Sequence, residues 1–278
     1  MRLIERLLYP RLELNEQKLD DEVTGKTIVI TGASSGIGKQ LVKVLAKSDC
    51  HLILAARRLE RLASLQQSLH KERAHIDVYG IDLREEVSRE RFVDFARDVS
   101  PQIDVLVHCA GHSIRRPVRE SASRMHDFTR TMAINYFAPV HLTLSFLPEL
   151  EESGGHVISM STINACLPPM PHFSAYQASK SAFDAWLRSA AEELERVGVV
   201  VTTMYLPLVR TPMIEPTKAY GKAPAMSVDQ VAVRVGRAIY KRQTSVRPWW
   251  LSPLQYITLH RRNLRDYSAG RRGNDADR

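Results

Sequence analysis

The apolar positions of the chain fall into two alternating patterns. Short continuous runs at Thr27–Ile30, His51–Ala56, Ile103–His108, Gly155–Met160 and Val199–Leu206 have no polar face. Strands covered on both sides of a sheet read this way. Between these runs lie longer stretches with apolar residues at helical spacing, such as Leu41, Val42, Leu45 and Ala46 within 36–47. Similar stretches cover 59–71, 86–98, 125–147 and 172–197, and Ser227 opens another that runs to 242. A further strand is read near His75–Tyr79. Strands alternating with helices from 26 to about 240 predict an α/β fold, a doubly wound parallel sheet in a single domain.

The flanks read differently. Residues 1–24 form an amphipathic extension with Leu3, Ile4, Leu7 and Leu8 at helical spacing, expected to pack on the body or to meet a membrane surface or a second copy. After the domain proper (25–245, with a substrate loop at 208–226), residues 246–278 form an amphipathic tail. Trp249, Trp250, Leu251, Leu254, Tyr256 and Ile257 precede Arg261-Arg262 there, which suits core packing plus an oligomer contact, or a membrane-interface or acyl-binding lip. Gly270 to Arg278 read as disordered.

Composition narrows the partners. At 278 residues and 44% apolar content the chain can bury a full core. Cys50, Cys109 and Cys166 are too few and too scattered for a disulfide framework or a metal site, so a reducing, cytoplasmic setting is expected and no metal is. The net charge of +8 favours an anionic partner, but the cations are dispersed and not interleaved with aromatics, which argues against nucleic acid. No apolar run of about 18 residues exists to span a bilayer. The first ten residues are too charged for a secretory signal.

Three stretches carry candidate chemistry. The first strand runs into Thr31-Gly32-Ala33-Ser34-Ser35-Gly36-Ile37-Gly38 and then a helix. Strand, glycine-rich turn and helix make a phosphate cradle: glycines admit the pyrophosphate, and the helix start offers free N–H groups and a positive dipole end. The second strand ends in Ala56-Arg57, where an acid would bind a free ribose 2′-hydroxyl. A guanidinium there suits a 2′-phosphate, so the expected cofactor is NADP(H). Third, Tyr176 and Lys180 lie four residues apart, on one face of a helix. Shifting a tyrosine pKa by roughly three units takes about 4 kcal/mol, which a lysine cation at ~4 Å can supply.

Together these motifs resemble the short-chain dehydrogenase/reductase family over about 220 residues, which implies a Rossmann fold. The resemblance implies that Tyr176, Lys180, Asn135 and a hydroxyl residue are catalytic. The hydroxyl position falls on Thr162, with Ser161 beside it as the alternative. Asn135 would distort its helix so that its backbone carbonyl holds a relay water. The cofactor would further meet Asp82 and Leu83, Ala110 and Gly111, and Val209 and Thr211. The chain departs from the family pattern with His108-Cys109 before Ala110-Gly111; both are read as structural. Cys166 has no paired base and is read the same way.

A narrower resemblance lies outside the cofactor motifs. Residues 110–116, 126–132, 135–137 and 206–214 are similar to bacterial short-chain-type fatty acyl-CoA reductases. This implies reduction of a long-chain acyl-CoA to the aldehyde, with Arg115, Arg116 or Arg210 as candidates for the coenzyme phosphates. A dehydrogenase of a lipophilic ketone or alcohol, or a cofactor-binding scaffold without catalysis, are the competing expectations. A homo-oligomer and a peripheral membrane contact are also expected.

Overall fold

Apolar runs without a polar face can be satisfied only by cover on both sides, and the chain supplies it. A computed structural model describes residues 3–258. Its strands are β1 (Thr27–Thr31), β2 (His51–Ala56), β3 (His75–Gly80), β4 (Val105–His108), β5 (His156–Thr162), β6 (Val200–Leu206) and the two-residue β7 (Ser245–Val246). They form one sheet of order β3-β2-β1-β4-β5-β6-β7 with every pairing parallel. The order reverses between β1 and β4, which opens a crevice at the carboxyl ends of the strands.

The helices are α1 (Leu3–Leu8), α2 (Glu16–Val23), α3 (Gly36–Leu45), α4 (Leu59–Ser68), α5 (Glu86–Val99), α6 (Met125–Met132), α7 (Ala138–Ser145), α8 (Leu147–Ser153), α9 (Ser174–Arg196) and α10 (Val228–Lys241). The two-residue period of the strands divides the core in two. Ile28, Ile30, Leu52 and Leu54 face α3, α4 and α10, where Leu41, Leu62 and Val235 lie. Val29, Ile53 and Leu106 face α5, α7 and α9, where Phe92, Leu142 and Leu187 lie. Ser227 and Gln230 form a reciprocal capping box at the start of α10.

Two departures from the sequence pattern are informative. The stretch read as one long helix over 125–147 is broken by a π-helical turn at Ala133–Phe137, which contains Asn135. The N-terminal extension carries two helices, and α1 is turned inside out. Leu3, Ile4 and Leu7 are 83%, 59% and 69% exposed, while Glu5 is buried. The physical reason is electrostatic: the Glu5 carboxylate accepts hydrogen bonds from the Arg210 guanidinium and, at 3.3 Å, from the Ala225 N–H. Turning the helix to bury its leucines instead would pull Glu5 away from Arg210 and leave that guanidinium without its carboxylate.

The extension is nevertheless strapped to the body. Gln230 and Arg234 of α10 donate to the Tyr9 and Pro10 carbonyls at 3.0 and 2.8 Å. After β7, a helix over 251–258 buries Leu251, and Gln255 Nε2 donates to the Cys166 carbonyl at 3.2 Å. Arg261-Arg262 and the expected disorder of Gly270 to Arg278 lie outside the described residues. Among the described residues no helix is long and apolar enough to cross a membrane.

Two histidines are buried in the sheet as neutral rings. His156 on β5 bonds Thr202 Oγ1, and burial pushes its pKa down to about 3, with help from Arg242 and Lys26. His108 on β4 is likewise at about 3, through burial and the Lys180 charge. Both pKa values lie below the unfolded value, so between roughly pH 6.5 and 3 the unfolded chain binds more protons and stability falls on acidification. Thermal unfolding is therefore expected to drop steeply from pH 7 to 4.5, at up to roughly 2–3 kcal/mol per ring. A His156→Gln variant, followed by circular dichroism, should show a shallower pH slope.

Candidate active site

The site grows from the turn after β1. Gly32 has φ +70°, and a Cβ placed on it would stand 2.7 Å from the Ala110 nitrogen. On Gly38 a Cβ would stand 2.6 Å from the Gly32 carbonyl oxygen. The turn, the start of α3 and the end of β4 thus meet backbone to backbone, and only glycine permits it. Thr31, which sequence reasoning treated only as a flank, stitches this junction: its hydroxyl donates to the Val107 carbonyl at 3.4 Å and accepts from the Ala110 N–H at 3.3 Å. Ser34 is buried, Ser35 stands at the N-cap of α3, and Gly36 and Ile37 fill its first turn. The loop after β6 closes over them. Thr211 Cγ2 lies 3.2 Å from where a Cβ on Gly36 would be, and the buried Val209 bridges to Met226.

At the end of β2, Arg57 is exposed. Asp82, beyond β3, is held by Arg84, whose side chain and N–H both bond its carboxylate at 3.0 Å. That bond, with the Arg57 charge helping and burial opposing, lowers the Asp82 pKa. Arg84 was not foreseen; its signal was its position two residues after the acid. Leu83 is buried between them. Two guanidiniums and one bound carboxylate leave this end of the crevice suited to a phosphate.

The catalytic candidates converge on α9. Burial pushes the Tyr176 pKa up to about 12, while the neighbouring Thr162 hydroxyl favours the phenolate. Ser161 faces the other way, 3.5 Å from Asp184 Oδ1. Strand alternation puts adjacent hydroxyls on opposite faces, so only Thr162 reaches the tyrosine. Lys180 is buried, donates to the Met160 carbonyl at 2.9 Å, and is brought down to about 8 by burial, against the Cys109 effect. Its Nζ lies 3.7 Å from where a Cβ on Gly111 would stand. The ammonium points at the β5 carbonyl and the Gly111 turn.

Asn135 ties the parts together. Its amide donates to the His112 carbonyl at 2.8 Å and to Ser179 Oγ at 2.9 Å, and its Oδ1 accepts from the His112 N–H at 2.9 Å. Ser179 in turn donates to the Tyr176 carbonyl at 2.8 Å. Every polar atom of this buried side chain is engaged, as burial requires. Ser179 was missed as a candidate, although a serine on the inner helix face between the tyrosine and the lysine is a readable signal.

The comparisons with known proteins follow this geometry. A family model described as short chain dehydrogenase matches residues 26–220. The chain belongs to that family. A fatty acyl-CoA reductase of Acinetobacter baylyi is 39% identical over 223 residues, covering 80% of this chain and 75% of the relative. A fatty acyl-CoA reductase of Mycobacterium tuberculosis is 36% identical over 243 residues, covering 87% and 83%. A metagenomic short-chain oxidoreductase solved in complex with NADP superposes with a TM-score of 0.70 at 25% identity, covering 81% of this chain and 97% of its own.

The two residues that depart from this short chain dehydrogenase pattern lie at and just after the end of β4. His108 Nε2 meets Thr143 Oγ1 at 2.9 Å; that hydroxyl donates to the Pro139 carbonyl, so the ring nitrogen carries the proton. Burial holds the Cys109 thiol up at about 12 and also raises Cys166, so neither is a ready thiolate. Of the three candidate phosphate cations, Arg210 is paired with Glu5. Arg116 joins Arg124 and Arg130 around the buried Asp127, at 2.9, 3.0 and 2.8 Å. Those guanidiniums hold the Asp127 pKa at about 2. Arg115 is exposed; burial raises the Tyr220 pKa and the Arg115 charge opposes it. Tyr220, from the loop after β6, stacks on Phe173 at 6.0 Å and lies near Tyr176.

Two outcomes follow from these positions. Thr162→Val should lower turnover by ~10²–10³-fold, the cost of one lost oxyanion donor, with Thr162→Ser close to wild type and Ser161→Ala much milder. Steady-state kinetics with NADPH and a reducible substrate would show it. Lys180→Met should abolish turnover while leaving thermal stability at pH 7 equal or higher, because a drop from 10.5 to about 8 means the buried ammonium costs roughly 3 kcal/mol. The folded pKa is the lower one, so wild-type stability rises as pH passes from 8 towards 10.5 and the advantage of the variant shrinks there.

Proposed function

We propose that the chain is an NADPH-dependent reductase that converts a long-chain fatty acyl-CoA to the fatty aldehyde. The single observation that carries this reading is the meeting of Tyr176, Thr162 and the buried Lys180 beside the Gly111 turn, where the glycine-rich turn also arrives. A phenol at this place can give its proton to a developing oxyanion. The choice of acyl-CoA is supported by the two relatives of that description and by the apolar and cationic residues around Tyr220 and Arg115.

The residues fit NADP(H). Gly32 and Gly38 let the turn pack tightly under the start of α3, the α3 N-terminus would offer its N–H groups to a pyrophosphate, and Arg57 with Arg84 suits a 2′-phosphate. When bound, the cofactor supplies hydride to the thioester carbon. Tyr176 gives its proton to the carbonyl oxygen as that C–H bond forms, and Thr162 donates to the same oxygen. Lys180, beside Gly111, orients the nicotinamide ribose and assists return of a proton through the π turn at Asn135. The hemithioacetal then breaks its C–S bond; its hydroxyl proton leaves, and the thiolate takes up a proton to become free coenzyme A.

With palmitoyl-CoA, NADPH oxidation should be accompanied by equimolar free thiol. Tyr176→Phe should reduce the rate by ~10²–10⁴-fold with NADPH affinity retained. NADPH oxidation by ketones alone, with no thiol from any acyl-CoA, would replace this reading with a ketone reductase.

A further inference from the structure

The exposed face of α1 and the segment that follows β7 form one surface. Leu3, Ile4 and Leu7 share one face of α1, and Trp249 Nε1 donates to the Leu7 carbonyl at 3.2 Å, which joins the two elements. Trp249 is 60% exposed, and Leu254 and Ile257, one helical turn apart, are exposed beyond it. Large apolar side chains gathered this way mark an interaction site.

The face itself is cationic, with the exposed Glu13 at its edge beyond Arg11. Across residues 1–12 and 245–258 the sequence holds a single carboxylate, Glu5. That group is buried against Arg210, so the exposed charges on the described part are Arg6, Arg11 and Arg247. A second copy meeting this face about a two-fold axis would set those guanidiniums against themselves with no carboxylate to pair them. A bilayer carrying anionic headgroups satisfies both the apolar side chains and the cations.

We propose that this face docks on an anionic lipid bilayer. The docked elements also border the active site. Glu5 holds Arg210 and Ala225 of the loop after β6, and Gln255 holds Cys166 of the loop after β5, so a bilayer-borne acyl chain would meet the crevice beside Tyr176 and Thr162. This last step rests on the acyl-CoA reading; the docking itself does not.

The test is sedimentation of the full chain with vesicles of phosphatidylcholine, alone or mixed with phosphatidylglycerol. Binding to the mixed vesicles is expected to be roughly tenfold or more the stronger, and to weaken with salt. The variant Leu3→Ser, Ile4→Ser, Leu7→Ser should lose binding while keeping its unfolding temperature and NADPH affinity. Arg6→Gln with Arg11→Gln should lose mainly the preference for the anionic lipid. Wild-type protein that stays in the supernatant with mixed vesicles, or a triple-serine variant that binds like wild type, would overturn the proposal. So would light scattering that shows a dimer which the serine variant dissolves. Vesicle binding without palmitoyl-CoA turnover would support this surface while removing the acyl-CoA reading.

Discussion

The arrangement depends on keeping a lysine ammonium inside the protein. Lys180 has little exposure, one carbonyl acceptor at Met160, and a pKa brought down to about 8. Burial of that kind is unfavourable unless the surroundings fix the cation where it is needed. The surroundings here are backbone: the end of β5, and a Gly111 turn whose missing side chain leaves the approach open. Tyr176, partly buried, and Thr162, buried, stand nearby, where burial favours the neutral phenol. Lysine and tyrosine are thus shaped by the same desolvation, in opposite senses of charge.

That environment is maintained by a polar clamp rather than by apolar packing. Asn135 grips both backbone atoms of His112 and reaches Ser179, which grips the carbonyl of Tyr176. A single side chain therefore couples the strand β4 loop, the broken helix over 125–145 and helix α9. The π turn that holds Asn135 is a local departure from regular helix, and such turns recur where a backbone group is diverted to a task. On the far side of the crevice, Thr31 performs the matching structural role between β1 and β4. The loop after β6 is controlled from outside the sheet, through Glu5 of the N-terminal extension.

Much of this was legible in the sequence because it is local. Continuous apolar runs read as doubly covered strands, and the doubly wound parallel class followed from their alternation with helices. The glycine turn and the Tyr176–Lys180 spacing are short-range patterns whose geometry is set by one turn or one helix. Arg57 could be read because its place at the end of β2 follows from the chain order. Arg84, Ser179 and Thr31 were harder, since each matters only through a partner brought to it by the fold.

The sequence by itself determined the strand and helix segments, the phosphate turn and the pairing of tyrosine with lysine on one helix face, because those depend on side-chain period and backbone freedom within a few residues. Only the tertiary structure decided which of Ser161 and Thr162 meets the phenol, since that is a matter of which face of β5 looks at α9. It likewise decided that burial raises the tyrosine pKa, because desolvation depends on everything packed around the ring. And it turned α1 over: helical spacing ranks leucines for burial, but a carboxylate with a guanidinium waiting more than two hundred residues away outweighs it.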